Sequence, residues 1–414
     1  MKQTDILVIG GGIAGITTSL EASETGRRVV LVERNPYLGG RVVQMNKYFP
    51  KLCPPICGLE MNLRRMRNNP NIEVLTLSRI EKVSGKKGDY EVTIRSTPRF
   101  VNDNCTACGV CEKVCPVERP DEFNLCLTKT KSIYLPHHIA YPMQYVIDSH
   151  SCTRCAACLQ ACPYKAIDLE METTRQIINV SSIVIATGWK PYDASRIDNL
   201  KYGAYKDIVT NMQFERMAAV NGPTNGKILR PSDNKEPERI VFVQCAGSRD
   251  ENHLPYCSAV CCLASMKQAT YIREQNPNSK VYIFYIDIRA LGRYEDFYTK
   301  VSSDENVTFI KGKVADITED KGGLVVLAED ILSSKKTYQS ADLVVLACGM
   351  SPEGCENLPI SVDEYGFMLP GDNLYPVGVA KRPMEVAATT QDATAAALLA
   401  IQKIAVSNQL SAVS

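Results

Sequence analysis

The pattern of apolar positions along this chain changes several times, and the changes mark out its units. From Thr4 to Val32 it reads as strand ("DILVIG"), glycine turn and helix ("GGIAGITTSLEASETG") and strand ("RRVVLVE"), which is one βαβ unit. The apolar, β-branched segments "IEVLTLSRIEKVSG" and "DYEVTIRS" predict an antiparallel meander ending near Thr97. Periodicity then fails. Residues 100–170 are cysteine-dense, short on long helical patterns, and read as a compact insert held by something other than an apolar core. Strand signals resume at "QIINVSSIVIATG", and the Pro, Gly and Asn of "NGPTNGKILRPSDNKEPE" mark a boundary or linker near residues 221–238. A second α/β pattern follows: "RIVFVQC", the helical "SAVCCLASMKQATYIREQ", the strand "KVYIFYID", further strands and "ADLVVLACG". The tail "ATTQDATAAALLAIQKIA" has helical composition and is expected to pack back on the first unit.

Composition narrows the choice. The 414 residues are 45% hydrophobic and 22% charged, enough for two or three domains with cores of their own. A net charge of +1 with interspersed signs gives no basic field for nucleic acid or an anionic membrane. No apolar run reaches the roughly 18 residues of a spanning helix, and nothing at Met1 resembles a secretory leader. A cytoplasmic protein is expected, meeting a membrane only through a partner. Seventeen cysteines in such a chain favour metal ligation over disulfides.

Gly10, Gly12 and Gly15 form G-x-G-x-x-G between the first strand and helix, with Ile13 and Ala14 inside the loop. The first glycine permits the turn, the second lets backbone approach a pyrophosphate, and the third lets helix and strand pack. Glu33 ends the second strand, where a carboxylate can accept from ribose hydroxyls, with Arg34 beside it. This fingerprint alone does not separate FAD from NAD.

"CTACGVCEKVCP" and "CTRCAACLQACP" are each C-x2-C-x2-C-x3-C-P, the spacing at which three thiolates bind one [4Fe–4S] cluster and the fourth reaches the other. Cys105, Cys108, Cys111 and Cys162 are therefore assigned to one cluster, and Cys152, Cys155, Cys158 and Cys115 to the second; zinc is the alternative. Cys126, Cys348 and Cys355 read as buried structural thiols. Cys53 and Cys57 are read as structural, with a redox pair or further ligands as alternatives. The stretch "QCAGSRDENHLPYCSAVCC" brings Cys245, Cys257, Cys261 and Cys262 to the place where a second dinucleotide domain would carry its glycine loop. Four thiolates so close together would repel unless a cation or cluster neutralised them. His253, between them, reads as a surface loop residue. His137, His138 and His150 suggest no ligand set.

Two resemblances carry the reading further. "YLGGR" (Gly39, Gly40, Arg41), "IVIATG" (Thr187, Gly188), its second copy "ADLVVLACGMSPE", and "LYPVGVAKRPMEVAATTQDATAAA" (Gly378) resemble the elements by which glutathione and thioredoxin reductase-like flavoproteins hold FAD. Ile80 joins the expected FAD contacts. The cysteine order C-x11-C-x3-C-C, with "CPVERPDEFN" and "KSIYLP" in the insert, resembles the HdrA-like family, the flavin-bearing iron–sulfur component of heterodisulfide reductases, over nearly the whole chain. "CPPICGLEMN" and "NMQFERMAAVNGPT" look like the branch found in quinone-interacting membrane-bound oxidoreductases of sulfate-reducing bacteria.

The resemblance implies an α/β flavoprotein with two dinucleotide-binding-type domains and an inserted two-cluster ferredoxin-like α+β domain. Its expected parts are 1–99, 171–236 (with a linker) and 351–414 for FAD, 100–170 for the insert, and 237–350 for a second Rossmann-like domain with a third [4Fe–4S] cluster in place of the NAD(P) loop. The implied function is that of an oxidoreductase component moving electrons between quinone and adenylylsulfate reductase. The implied partners are that reductase, a related flavin and iron–sulfur protein, and a membrane quinone subunit. Flavin-based bifurcation or confurcation is left open; no further domain follows residue 414, so it is not carried over in the form of the longer methanogen proteins. A soluble heterodisulfide reductase-type complex acting on a disulfide or sulfur carrier is the alternative, and a non-catalytic cluster-bearing scaffold is the alternative of another class.

Overall fold

The computed structural model describes residues 2–413 except 321, 333, 355 and 356, with no side chain described beyond 404. The chain opens with β1 (Lys2–Ile9), α1 (Ile13–Glu24), β2 (Val29–Val32), α2 (Ile56–Arg67), β3 (Ile72–Leu75) and the hairpin β4 (Ser78–Lys86) and β5 (Asp89–Ser96). The insert holds α3 (Val110–Lys113), β6 (Glu118–Pro120), β7 (Lys129–Lys131), β8 (Ile133–Tyr134), β9 (Val146–Ile147) and α4 (Ala157–Ala161). Its elements are too short to enclose much apolar surface, and thiols such as Cys111 and Cys158 stand in its small core.

β10 (Thr174–Ile185) returns the chain to the first sheet, whose order is β3-β2-β1-β10-β5-β4. β1, β2 and β3 run parallel, and β5 meets β10 antiparallel. "IEVL" thus joins the parallel side rather than the expected meander, because β3 follows α2 as a crossover and lies beside β2. Only β4 and β5 form the antiparallel part, and β5 alternates buried and exposed residues as a one-sided strand does.

β11 (Trp189–Pro191) leads to the second sheet, built from β12 (Ile208–Thr210), β13 (Arg239–Ala246), β14 (Lys280–Tyr285), β15 (Val307–Lys311) and, later in the chain, a fifth strand. Its helices are α5 (Asn211–Ala218), α6 (Cys261–Gln275) and α7 (Tyr294–Ser302). A three-stranded antiparallel sheet, β16 (Val314–Asp320), β17 (Gly323–Asp330) and β18 (Lys335–Ala341), precedes that fifth strand, β19 (Leu343–Cys348). The parallel order is β12-β19-β13-β14-β15. This unit reaches back before residue 237: β12 pairs with β19, and α5 starts with a complete capping box, Thr210 accepting from the Gln213 N–H while Gln213 accepts from the Thr210 N–H. The 221–238 linker is therefore a loop inside the unit.

β20 (Met350–Pro352) pairs with β11, β21 (Leu374–Pro376) pairs with β10, and α8 (Val386–Val413) lays Ala393, Ala396, Ala400 and Ile404 into the core around α1. The paired crossings β10–β11 and β19–β20 bring both sheets' carboxyl ends to one cleft. Among the described residues no helix is long and apolar enough to cross a membrane.

Candidate functional site

The turn after β1 can form only without side chains. A Cβ on Gly10 (φ +108°) would stand 2.3 Å from the Ala186 oxygen, and one on Gly15 would stand 1.8 Å from the Gly10 oxygen. Gly12 caps α1, which has no side-chain cap and no carboxylate in its first turn. Its first N–H groups and positive dipole end are thus left for an anionic group. At the end of β2 the buried Glu33 carboxylate accepts from the Gly11 N–H at 2.6 Å and from the Asn35 N–H at 2.7 Å. Burial raises its pKa and those two donors oppose the rise.

Glu353 stitches the two chain crossings. Its carbonyl accepts from Thr187 Oγ1 (2.7 Å), its N–H donates to the Gly188 oxygen (3.1 Å), and its carboxylate pairs with Arg34 (2.8 Å). Arg41 donates to the Trp189 oxygen at 3.3 Å, and burial lowers its pKa.

Gly10, Gly12, Ile13, Ala14, Glu33, Arg34, Gly40, Arg41, Ile80, Thr187 and Gly188 line one cleft of about 700 Å³. Gly15, Gly39 and Gly378 are not in its wall. Gly15 serves helix–strand packing, Gly39 (φ +115°) turns the chain beneath Val43, and Gly378 gives its N–H to Asp392 while Val377 and Val379 face the cleft. The uncapped helix end, the buried acid and the volume fit a flavin dinucleotide.

The sequence reading missed the far wall. α5 and α6 contribute Asn211, Met212, Glu215, Leu263, Lys267 and Gln268. Lys267 and Glu215 form a buried ion pair at 3.0 Å. Lys267 also donates to the Lys47 oxygen (2.6 Å), and Glu215 accepts from the Asn46 N–H (2.9 Å) and from Gln268 (2.8 Å), so the pair ties the second unit to the first. The available signal was weak, because α5 (NMQFERMA) and α6 (CCLASMKQATYIREQ) carry several polar residues besides Glu215 and Lys267. The insert supplies Arg119, Phe123 and Tyr134, with the Arg119 guanidinium 4.2 Å over the Tyr134 ring.

The insert has two small cavities. One is bounded by Cys105, Cys108, Cys111 and Cys162, the other by Cys115, Cys152, Cys155 and Cys158. Each therefore gathers three thiols of one run and the fourth of the other. Left-handed backbone at Ala107, Gly109, Arg154 and Ala156 bends the loops around them. Burial, then Cys105, push the Cys111 thiol up to about 12, and burial, then Cys152, raise that of Cys158. Such thiols stay protonated at neutral pH unless a cation stabilises the thiolate.

At the second sheet, Cys245 ends β13 in left-handed backbone (φ +57°), Cys257 sits in the following loop, and Cys261 and Cys262 open α6. Burial raises Cys245 to about 11, with Cys262 and Cys257 adding; Cys261 is pushed well up by burial and then by Cys245, Cys262 and Cys257. Cys245 and Cys261 thus each feel the other thiols of the group, while Arg249 beside Cys245, and a backbone donor and the side chain of Arg289 beside Cys262, work the other way; Cys261 and Cys262 are buried, Cys245 and Cys257 half-buried. Among the described residues no three His, Cys, Asp or Glu side chains converge tightly enough to clasp a single metal ion. A cubane places each thiolate on a different iron and asks for a wider set. Gly247 (φ +78°), two residues after Cys245, packs against the Tyr192 ring, where a Cβ would stand only 2.4 Å away.

Two expectations need correction, those for Cys126 and His253. Cys126 is exposed rather than buried, because the turn held by its N–H to the Asp121 oxygen (2.8 Å) aims it outward. His253 is half-buried and bonds Tyr192 Oη through Nδ1 at 2.8 Å. Cys348 is buried as expected, at the end of β19, whereas Cys355 lies outside the described residues.

Comparison with known proteins agrees with these parts. Residues 5–66 match the FAD dependent oxidoreductase family, and residues 102–118 and 145–168 each match a 4Fe-4S binding domain. The chain is 41% identical over 351 residues to the iron-sulfur HdrA component of the CoB–CoM heterodisulfide reductase of Methanocaldococcus jannaschii, covering 84% of this chain and 53% of that protein. It is 36% identical over 419 residues to the corresponding component of the H2:CoB–CoM heterodisulfide,ferredoxin reductase of Methanothermobacter thermautotrophicus, covering 96% and 64%. The chain thus spans between half and two thirds of the length of these relatives. The thioredoxin reductases of Lactococcus lactis (TM-score 0.54, 13% identity, 97% of this chain and 99% of that one) and T. acidophilum (0.54, 12%, 98% and 100%) share the fold.

Proposed function

From the premise that this chain belongs to the HdrA-like family of heterodisulfide reductase components, oxidoreductases with FAD and [4Fe–4S] clusters, we propose that it conducts electrons among iron–sulfur centres through a flavin that no pyridine nucleotide reduces. A bound flavin exchanges electrons in pairs or singly, whereas a cluster exchanges one, which lets such a chain join the two kinds of chemistry.

The observation that carries this reading is the group Cys245, Cys257, Cys261 and Cys262 at the β13–α6 junction. We assign these four to a third cluster, and the two cysteine-lined cavities of the insert to the ferredoxin-type pair. Gly10, Gly12 and the α1 N-terminus would hold the pyrophosphate, Glu33 the ribose, and Gly40 and Arg41 the opposite side of the phosphates. Lys267 and Glu215, ion-paired at 3.0 Å, would fix the shape of the cleft's far wall.

Placement in a sulfate-reducing system rests on the two stretches "CPPICGLEMN" and "NMQFERMAAVNGPT". There the chain would sit on the cytoplasmic face of a membrane, with adenylylsulfate reductase, a related flavin protein and a quinone-binding membrane subunit for partners. The relatives' own names favour a second reading, a heterodisulfide reductase-type complex acting on a disulfide or sulfur carrier.

Anaerobic titration tests the shared core of both readings. A low-potential dye should bleach the flavin and the clusters, and a large excess of NADH or NADPH should leave the flavin spectrum unchanged over minutes. Rapid bleaching by either nucleotide would make the chain an ordinary reductase. Re-oxidation of the dye-reduced protein by a quinone analogue with membrane partners, or by a disulfide without them, separates the two placements.

A further inference from the structure

Twelve of the seventeen cysteines fall in the three groups described above. Cys126 stands alone at the surface and Cys348 is buried. Cys53 and Cys57 form a pair with neither of those fates. Cys57 is exposed in the first turn of α2, its N–H on the Pro54 oxygen at 3.1 Å, and Cys53 is half-buried just before that helix. Pro54 and Pro55 restrict the backbone between them as the chain passes from the Tyr48–Cys53 bridge into α2, which starts at Ile56.

Tyr48 ties the pair to the flavin cleft. Its N–H donates to the Cys53 oxygen at 3.1 Å, an isolated antiparallel bridge that folds the segment back on itself. Its hydroxyl lies over the helix start, where a Cβ on Gly58 would be only 2.7 Å away, so the phenol sits next to the residue that follows Cys57. Burial and then both thiols, Cys53 by a hydrogen bond as well, hold the Tyr48 phenol above its ordinary pKa. Tyr48 and its neighbour Phe49 line the 700 Å³ cleft. One aromatic side chain thus touches a solvent-reachable thiol pair and the wall of the cofactor site.

We propose that Cys53 and Cys57 form a thiol–disulfide couple beside the flavin cleft that takes a small disulfide as its substrate. This rests on the reading of the cleft as an FAD site. Reduction would break the Cys53 Sγ–Cys57 Sγ bond and take up two electrons and two protons, which a reduced flavin held in the adjoining cleft would supply on returning to its oxidised form. The two thiols then break an external disulfide by exchange through a mixed disulfide, releasing two substrate thiols and restoring the internal bond. The chain would then carry its own two-electron outlet, in addition to the one-electron outlets of its clusters.

The test uses the anaerobic holoprotein. It is equilibrated in glutathione buffers from reducing to oxidising, alkylated and digested with trypsin, and the peptide 52–64, which contains both cysteines, is weighed. The expected result is two labels at the reducing end, none and a loss of two hydrogens at the oxidising end, and return of both labels when the oxidised protein is photoreduced without added thiol. Cys53→Ser should leave iron per protein unchanged. Persistence of both labels at every poise, failure of photoreduction to restore them, or loss of iron in Cys53→Ser would each overturn the proposal. FAD is measured in the same samples, so absence of flavin would count against the proposed function, while the glutathione titration still decides whether the couple exists.

Discussion

Glu33 serves fold and ligand with one carboxylate. Each of its oxygens already accepts a backbone N–H, from Gly11 or Asn35, which fixes the carboxylate at the edge of the cleft and keeps the glycine loop in place. Glu33→Gln should weaken FAD binding by about 10- to 100-fold, the equivalent of one hydrogen bond to a charged group, and this is read from flavin retained on gel filtration or from titration of apoprotein. His137 is the opposite case, a side chain whose importance is invisible in its motif context. It is buried, stacked on Phe123 at 4.9 Å, with no hydrogen-bond partner on either ring nitrogen among the described residues, and burial lowers its pKa to about 3. It is therefore neutral when folded but takes a proton near pH 6.5 when unfolded, so its contribution is present above pH 6.5 and is lost as pH falls below it. Compared with His137→Phe, the native protein should lose about 1.4 kcal/mol between pH 7.5 and 5.5, measured by urea unfolding at both values. A constant difference across that range would show that the imidazole is not buried neutral. The glycines and clustered cysteines were legible because their chemistry depends on local spacing. The outward turn of Cys126 was not, since it depends on the Asp121 contact.

Between elements, the α5–α6 contact holds the functional feature that no spacing could announce. Glu215 and Lys267 are 52 positions apart and meet only because β12 enters the second sheet beside β19 and sets α5 against α6. Removing one member leaves a buried charge unpaired, so Lys267→Met and Glu215→Gln should each cost about 3–5 kcal/mol, while the double variant costs less than their sum. Denaturant unfolding of all four proteins gives the coupling. Additive losses would mean that the two side chains do not share a buried contact. The same dependence on distant partners explains why β3 reads as part of a meander in sequence but pairs in parallel with β2: four residues of "IEVL" carry a strand signal and no information about its neighbour.

At the scale of the whole molecule, the chain has the two-sheet plan of the thioredoxin reductases, with a cysteine-bearing turn after the second sheet's β13 that adjoins the cleft wall formed by Val260, Leu263 and Ala264. The first sheet carries a glycine turn, an uncapped helix end and the buried carboxylate of Glu33; the second, at the corresponding β13–α6 turn, carries left-handed Cys245 and the adjacent Cys261 and Cys262. The insert, whose short elements bury little, gathers its eight motif cysteines around two cavities and reaches the same cleft through Arg119, Phe123 and Tyr134. Electrons delivered to either end would thus meet at one flavin. The most direct test of this arrangement is the iron content of anaerobically purified protein, per FAD, before and after Cys261→Ala/Cys262→Ala. The account predicts about twelve irons falling to about eight, with the ferredoxin-type clusters intact by electron paramagnetic resonance. About eight irons in the native protein, unchanged by the double substitution, would contradict it.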